Sequence, residues 1–141
     1  MTEAPLSSMI SLSSGCLKAL RDLRETRQIN TVVMHTTGTP QVLVAEVEAN
    51  LTHDELLQAL PEREPRLIVY ELSFADKDGA HRHERLLILW MPPAAAKQQD
   101  DYTRAYDTLK DALADVRIHL TARRPDHLAY QRLVALATGT P

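Results

Sequence analysis

The chain has 141 residues, of which 44% are hydrophobic and 25% are charged, and its formal net charge is −3. This length and composition predict one globular domain, and the negative balance argues against a general attraction to nucleic acid or anionic lipid. No apolar run approaches the ~18 residues that a membrane-spanning helix needs. The lone cysteine, Cys16, and the polar start MTEAPLSSM, which lacks the features of a signal peptide, predict a cytoplasmic location.

The N-terminal part of the chain predicts a tail, a helix and two strands. Residues 1–11 are rich in serine and are expected to be flexible. Ser13 or Ser14 is expected to cap a first helix. The apolar side of that helix is predicted to comprise Cys16, Leu17, Leu20 and either Leu23 or Arg24. Two strands rich in β-branched residues, 31–35 and 41–47, are predicted to follow around a turn at 37–40.

Residues 52–90 carry the strongest local signals. Thr52 and Glu55 match a capping box, which predicts the start of a short helix over 54–60. Strands 66–74 and 86–90 are predicted next, joined by the turn DKDG at 76–79. Because the second of these strands is apolar on both faces, we expect helices to cover the sheet from both sides.

The C-terminal part predicts a long helix over 97–113, a strand over 116–120 and a last helix that begins at Pro125. The last helix is expected to bury Leu128, Leu133, Val134 and Leu136. This order predicts an α/β (α+β) fold, with a central mixed five-stranded sheet between helices on both faces. The predicted boundaries are a flexible segment 1–11, a domain 12–137 and a tail 138–141.

Residues that could carry chemistry are few. We expect His81 and His83 to point to opposite faces of their strand, so that only one could ligate a metal. Cys16 is expected to be a small core residue, and no phosphate-binding glycine motif occurs. We therefore predict a protein that is not an enzyme and has no cofactor and no metal site. An enzyme or small-ligand binder that uses Cys16 and the histidines is an open alternative.

Basic side chains form local clusters in a chain of negative net charge. They lie on the first helix, at the 76–85 hairpin and at Arg123-Arg124. They are either ordinary solvated charges or the contacts of a module that grips acidic protein partners.

Three features together resemble the actin-depolymerising-factor homology family. They are a basic first helix after a serine-rich tail, the strand that ends in LLILWMP, and a long helix with Tyr102 near its start. Within that family, LTHDELLQALPEREPRLIVY at 51–70, DKDG at 76–79 and KQQ at 97–99 are similar to the glia maturation factors. The resemblance covers about residues 12–137.

This resemblance implies the actin-depolymerising-factor homology fold and a non-catalytic regulator of the actin cytoskeleton. A glia maturation factor binds the actin-related protein 2/3 complex, inhibits branch nucleation and promotes debranching. The alternative is a divergent cofilin that binds and severs or depolymerises actin filaments. The implied partners are therefore the actin-related protein 2/3 complex, actin or both, with no nucleic acid and no membrane span, for a monomer located at the actin cytoskeleton.

The resemblance also implies two contact surfaces. Carried over by position, the first comprises Arg21, Arg24, Gln98, Gln99, Asp101, Tyr102, Arg104 and Ala105. The second lies on the hairpin and comprises Lys77, His81, Arg82 and His83. Phosphorylation of Thr2, Ser7 or Ser8 would repel an acidic partner, which makes these three residues candidate regulatory sites.

Three positions near the start of the long helix depart from the family pattern. Asp100 and Asp101 stand where the family usually has apolar residues, and Arg104 stands where a small residue is usual. Transfer of unpaired carboxylates into an apolar cleft costs several kcal/mol. These residues therefore disfavour ordinary binding of actin monomers more than they disfavour a function like that of the glia maturation factors.

Overall fold

The computed structural model describes residues 10–26 and 28–139, which form a mixed sheet with two helices on each face. The strands are β1 (Ser11–Leu12), β2 (Thr31–Thr37), β3 (Val42–Ala49), β4 (Arg66–Ala75), β5 (His81–Trp90) and β6 (Ile118–Ala122). The helices are α1 (Ser14–Glu25), α2 (His53–Gln58), α3 (Gln99–Ala112) and α4 (Tyr130–Thr138). Short 3-10 helices, Pro93–Gln98 and Pro125–Leu128, precede α3 and α4.

The sheet has six strands in the order β1-β3-β2-β4-β5-β6, so the predicted count of five is wrong. The additional strand is β1, which pairs in parallel with Val42 and Leu43 of β3. Two residues are too few to show an alternating pattern, which is why the sequence did not reveal this strand. The candidate phosphorylation sites Thr2, Ser7 and Ser8 lie outside the described residues.

The central pair β4–β5 is antiparallel along its whole length, from Arg66 opposite Trp90 to Ala75 opposite His81. Alternate residues of the pair face different helix layers. Val69 and Leu87 pack in the layer of α1 and α3, whereas Ile68 and Ile88 pack in the layer of α2 and α4. The prediction that helices cover this pair on both faces is confirmed.

The two predicted helix caps are present. The Ser13 hydroxyl accepts a hydrogen bond from the backbone N–H of Cys16 at 3.0 Å. Thr52 and Glu55 form both halves of a capping box, with hydrogen bonds of 3.1 and 2.8 Å. Each cap satisfies backbone donors that the first turn of a helix leaves unpaired.

The single last helix that the sequence predicts is interrupted. The 3-10 helix ends at Leu128, and Ala129 is extended, with φ −56° and ψ 140°. The Leu128 carbonyl lies 2.6 Å from Nε2 of His53 on α2. The carbonyl oxygen of Leu128 therefore interacts with a side chain of another element, and a new helix begins at Tyr130.

Two leucines predicted to face the core are exposed instead. The exposed fraction is 52% for Leu17 and 47% for Leu136. In α1 the buried stripe contains Ala19 together with Cys16, Leu20 and Leu23. The spacing of this stripe matches one face of a helix, so Leu17 falls outside it.

Candidate functional site

The start of α3 is anchored on the sheet by buried side chains. Tyr102 is only 2% exposed, and Ala105 and Leu109 are fully buried. The Tyr102 hydroxyl accepts a hydrogen bond from the backbone N–H of Thr36 in β2 at 3.0 Å. The predicted role of Tyr102 and Ala105 as contacts for a partner is therefore not open to them in this structure, because they support the helix from beneath.

The residues just before and at the start of α3 form an exposed polar surface. Lys97, Gln98, Gln99 and Asp100 are all exposed. Asp100 lies in the first turn, where the positive end of the helix dipole stabilises a carboxylate. This segment keeps the accessibility that a contact with a partner requires, so Gln98 and Gln99 fit the predicted role.

Asp101 and Arg104 form an ion pair one helical turn apart. Their side chains are 39% and 43% exposed, respectively. The guanidinium therefore offsets the Asp101 charge without removing the pair from solvent. An approaching partner would meet a paired carboxylate here, which costs less to desolvate than an isolated one.

A groove of about 550 Å³ separates α3 from β6 and the following turn. Tyr106 lies in it, with the Lys110 ammonium 4.7 Å from the centre of its ring. Burial raises the pKa of the Tyr106 hydroxyl above its ordinary value. The groove is also lined by Gln99, Thr103, Asp107, Thr121, Arg123 and His127.

Sequence reasoning did not place Thr103, Lys110 and His127 at the site. Tyr106 and Lys110 are four residues apart, the spacing at which side chains meet on a helix. That signal was present in the sequence. The facing residues come from a distant part of the chain, and only the fold brings them to α3.

Three segments converge on one end of the sheet. Ser11 pairs with Val42, Arg66 pairs with Trp90, and Trp90 pairs with Ala122. The start of α3 lies at this end because α3 follows β5. The Arg123-Arg124 pair lies there because it follows β6, and β1 begins at the same end. We call it the helix-start end.

Arg21 and Arg24 do not belong to this end, although the sequence resemblance placed them near the start of α3. They line a different groove, together with Ala112, Asp115 and Val116. Ala112 is the last residue of α3, a helix of 14 residues, and Asp115 and Val116 follow it. At 1.5 Å per residue, the two ends of α3 are about 21 Å apart.

The β4–β5 hairpin reaches its turn at the opposite end of the sheet, beside α4. Its turn is closed by Asp76, whose carboxylate accepts hydrogen bonds from the backbone N–H groups of Asp78 and Ala80 at 2.9 and 3.0 Å. Gly79 has a φ of +81°, which an L-residue adopts only with strain. Lys77 is exposed on this turn.

The hairpin cations and histidines are exposed as predicted, but the histidines share one face. The rings of His81 and His83 stack with their centres 6.4 Å apart. The expectation of opposite faces is wrong, because residues two apart on a strand point the same way. The Arg82 guanidinium lies 5.5 Å from the centre of the Phe74 ring.

Helix α4, in the layer of α2 and α4, contacts the hairpin through a hydrogen bond. The Tyr130 hydroxyl donates a hydrogen bond to the Ser73 carbonyl at 2.7 Å. The Ser73 hydroxyl is in turn 2.9 Å from Nδ1 of His83. The exposed end of the hairpin is thus connected to α4 through the backbone of β4.

Cys16 has the core position that the sequence predicts. It is fully buried, and its Sγ lies 3.4 Å from Sδ of Met34. Burial raises the pKa of its thiol to about 11, with a smaller contribution from the charge of Glu48. A neutral, enclosed thiol is a poor nucleophile.

Residues 10–26 and 28–139 contain no group of three or more histidine, cysteine or acidic side chains placed to hold a metal ion. Within the same ranges, no helix has the length and apolar character needed to cross a membrane.

Comparison with known proteins identifies relatives over nearly the whole domain. The family of cofilin/tropomyosin-type actin-binding proteins matches residues 9–137. Actophorin of Acanthamoeba castellanii is 28% identical over 118 residues, which cover 82% of this chain and 85% of actophorin. Cofilin of Schizosaccharomyces pombe is 26% identical over 133 residues, which cover 93% of this chain and 96% of that cofilin.

Solved structures show the same architecture. The crystal structure of Streptomyces griseoflavus cofilin matches with a TM-score of 0.82 at 20% identity, covering 92% of this chain and 98% of that one. Coactosin from Entamoeba histolytica matches with a TM-score of 0.79 at 18% identity, covering 94% and 97% of the two chains. These structural likenesses establish a shared fold.

Proposed function

This chain belongs to the family of cofilin/tropomyosin-type actin-binding proteins, and on that basis we propose that it binds actin filaments and severs or depolymerises them. The relatives named actophorin and cofilin support this function, which was the alternative in the sequence analysis. We propose a non-catalytic, monomeric protein that acts in the cytoplasm at the actin cytoskeleton. The narrower assignment to the glia maturation factors is not confirmed by the comparisons.

One observation carries the proposal: an exposed polar segment leads into a helix, α3, that buried side chains fix to the sheet. Lys97, Gln98 and Gln99 are accessible, whereas Tyr102 in the first turn of α3 is 2% exposed and hydrogen-bonded to β2. When a partner docks on this segment, the backbone of this protein loses little conformational entropy, because the helix is already fixed. Residues 97–100 are therefore the proposed centre of the actin contact.

The groove between α3 and β6 extends this surface. It adds Lys110, Arg123 and His127 beside the aromatic ring of Tyr106. Cations at the rim of a contact orient and accelerate the encounter with an acidic partner surface. The ring supplies apolar area of the type found at the centre of protein interfaces.

Co-sedimentation with actin filaments, combined with microscopy of single unbranched filaments, tests the proposal. We expect saturable binding in the pellet and more rapid fragmentation or shortening of unbranched filaments. A chain that neither pellets with filaments nor binds fluorescent actin monomers would refute an actin-binding function.

A second candidate is an activity at filament branches, through the actin-related protein 2/3 complex. Its support is the 51–79 resemblance and the polar start of α3, where Asp100 is exposed and Asp101 is paired with Arg104. Branch lifetimes measured in the same microscope separate the candidates. Shorter branch lifetimes with intact unbranched filaments would favour the second candidate, whereas equal fragmentation of both would favour the first.

A further inference from the structure

A groove separate from the proposed actin contact lies between α1 and the C-terminal end of α3. It has a volume of about 300 Å³. Apolar side chains of α1 and of the segment after α3 line it, namely Leu17, Leu20, Leu23, Leu113 and Val116. Leu17 lies in this lining and is 52% exposed. Leu17 and the half-buried Leu113 therefore offer apolar surface to solvent, whereas Leu20, Leu23 and Val116 are buried.

The charged residues in the lining are predominantly basic. They are Arg21, Arg24, Arg85 and Asp115, in a chain whose net charge is −3. Arg85 pairs with Asp115 at 2.6 Å, and Arg24 pairs with Glu25 at 2.7 Å. Arg21 makes no ion pair with any residue in 10–26 or 28–139. One guanidinium at the groove is thus available for a carboxylate from outside.

We propose that this groove binds a short amphipathic segment of a partner protein, with apolar side chains on one face and carboxylates beside them. Apolar side chains would contact Leu17 and Leu113, and a carboxylate would pair with Arg21. This is the recognition mode in which an amphipathic helix lies in an apolar groove and charged residues set its orientation. A phosphate group would use the arginines but would leave the apolar lining uncovered, which favours a peptide over a lipid headgroup.

This inference does not depend on the proposed actin contact. The groove meets α3 at its C-terminal end, and the two ends of this 14-residue helix are about 21 Å apart at 1.5 Å per residue. Both could therefore be occupied at once. A partner held in the groove would be carried to actin without competing for residues 97–100.

Nuclear magnetic resonance titration of the full chain with designed peptides tests the proposal. The probe is a synthetic peptide of about 18 residues with leucines at i, i+3, i+4 and i+7 and mainly glutamates elsewhere. Its control is the same peptide with lysines in place of the glutamates. We expect shifts in the amide signals of Leu17, Leu20, Arg21, Leu113 and Val116 with the acidic peptide alone.

Two charge reversals locate the site. Arg21→Glu is expected to weaken acidic-peptide binding about ten-fold, because it replaces attraction by repulsion. Arg63→Glu reverses an exposed arginine in the loop between α2 and β4, outside the groove lining, and is expected to leave peptide binding unchanged. Filament co-sedimentation of Arg21→Glu is expected to match that of the unmodified chain.

Several outcomes would overturn the inference. They are equal binding of both peptides, shifts confined to residues outside the groove, or no binding at millimolar peptide. Binding of phosphatidylserine vesicles that Arg21→Glu abolishes, without peptide binding, would identify a headgroup site instead. Loss of filament binding in Arg21→Glu would make the groove part of the actin contact. If the unmodified chain does not bind actin at all, the proposed function fails, but the peptide titration still tests the groove.

Discussion

The start of α3 and the end of the β4–β5 hairpin both present polar side chains, but they are supported differently. The exposed residues 97–100 are followed in α3 by Tyr102 and Ala105, both buried in the core. At the hairpin, Lys77 sits on a turn closed by its own backbone and by Asp76. Residues beneath the start of α3 therefore affect stability and binding together, whereas the hairpin charges can change binding alone.

Tyr102→Ala should give the largest effect, because it removes a buried aromatic ring that fixes α3. We expect the free energy of unfolding to fall by about 3–5 kcal/mol, measured by urea denaturation. Tyr102→Phe is the matched control. It keeps the ring and loses only the hydrogen bond from the Thr36 N–H, which should cost about 1 kcal/mol. Equal losses in the two variants would contradict the role of the ring as the anchor.

Arg104→Glu should separate binding from stability at the start of α3. Its side chain is 43% exposed and its partner Asp101 is on the surface, so the unfolding free energy should change by less than about 1 kcal/mol. If this face contacts actin, we expect filament affinity to fall about ten-fold, or about 1.4 kcal/mol. Arg63→Glu, an equivalent charge reversal elsewhere, should bind normally in the same co-sedimentation assay. Unchanged affinity in Arg104→Glu would move the contact away from this face.

Gly79→Ala tests whether the hairpin turn is stabilised by its own backbone. An added Cβ would meet nothing within 4 Å, so the effect should arise only from the positive φ of +81°. We expect a loss of about 1 kcal/mol in thermal or urea unfolding. Asp78→Ala, at the preceding exposed position, is the control and should change stability by less than about 0.5 kcal/mol. A loss in the control equal to that in Gly79→Ala would mean that φ is not the cause.

The double variant Lys77→Glu, Arg82→Glu should give the smallest effect. Exposed cations contribute modestly and are screened by salt. We expect filament affinity to fall about three-fold at low salt, with monomer affinity and stability unchanged. Co-sedimentation at two salt concentrations and a monomer-binding titration measure this difference. A matching loss of monomer affinity would show that the hairpin belongs to the first contact.

Local signals in the sequence predicted much of the architecture. The Thr52–Glu55 box, the Ser13 cap and the turn at 76–79 depend on neighbouring residues, and each is present in the structure. The apolar run at 86–90 indicated a strand covered on both faces, as observed. These features depend on spacings of a few residues, which the sequence contains directly.

The composition of the candidate surface was less predictable. Gln98 and Gln99 are exposed as the resemblance implied, but Tyr102 and Ala105 are buried, and Arg21 and Arg24 line a groove at the other end of α3. A resemblance transfers residues by position along the chain. It does not say whether a side chain points to the core or to solvent.

The sequence by itself determined the class of fold, the caps, the central hairpin and the family to which the chain belongs. Only the tertiary structure decided which exposed residues share a surface. It added β1 to the sheet edge, ended the 3-10 helix where His53 meets the Leu128 carbonyl, and brought Lys110, Arg123 and His127 to one groove. The physical reason is that caps and turns are set by local hydrogen bonds, whereas these groupings depend on contacts between residues far apart in the chain.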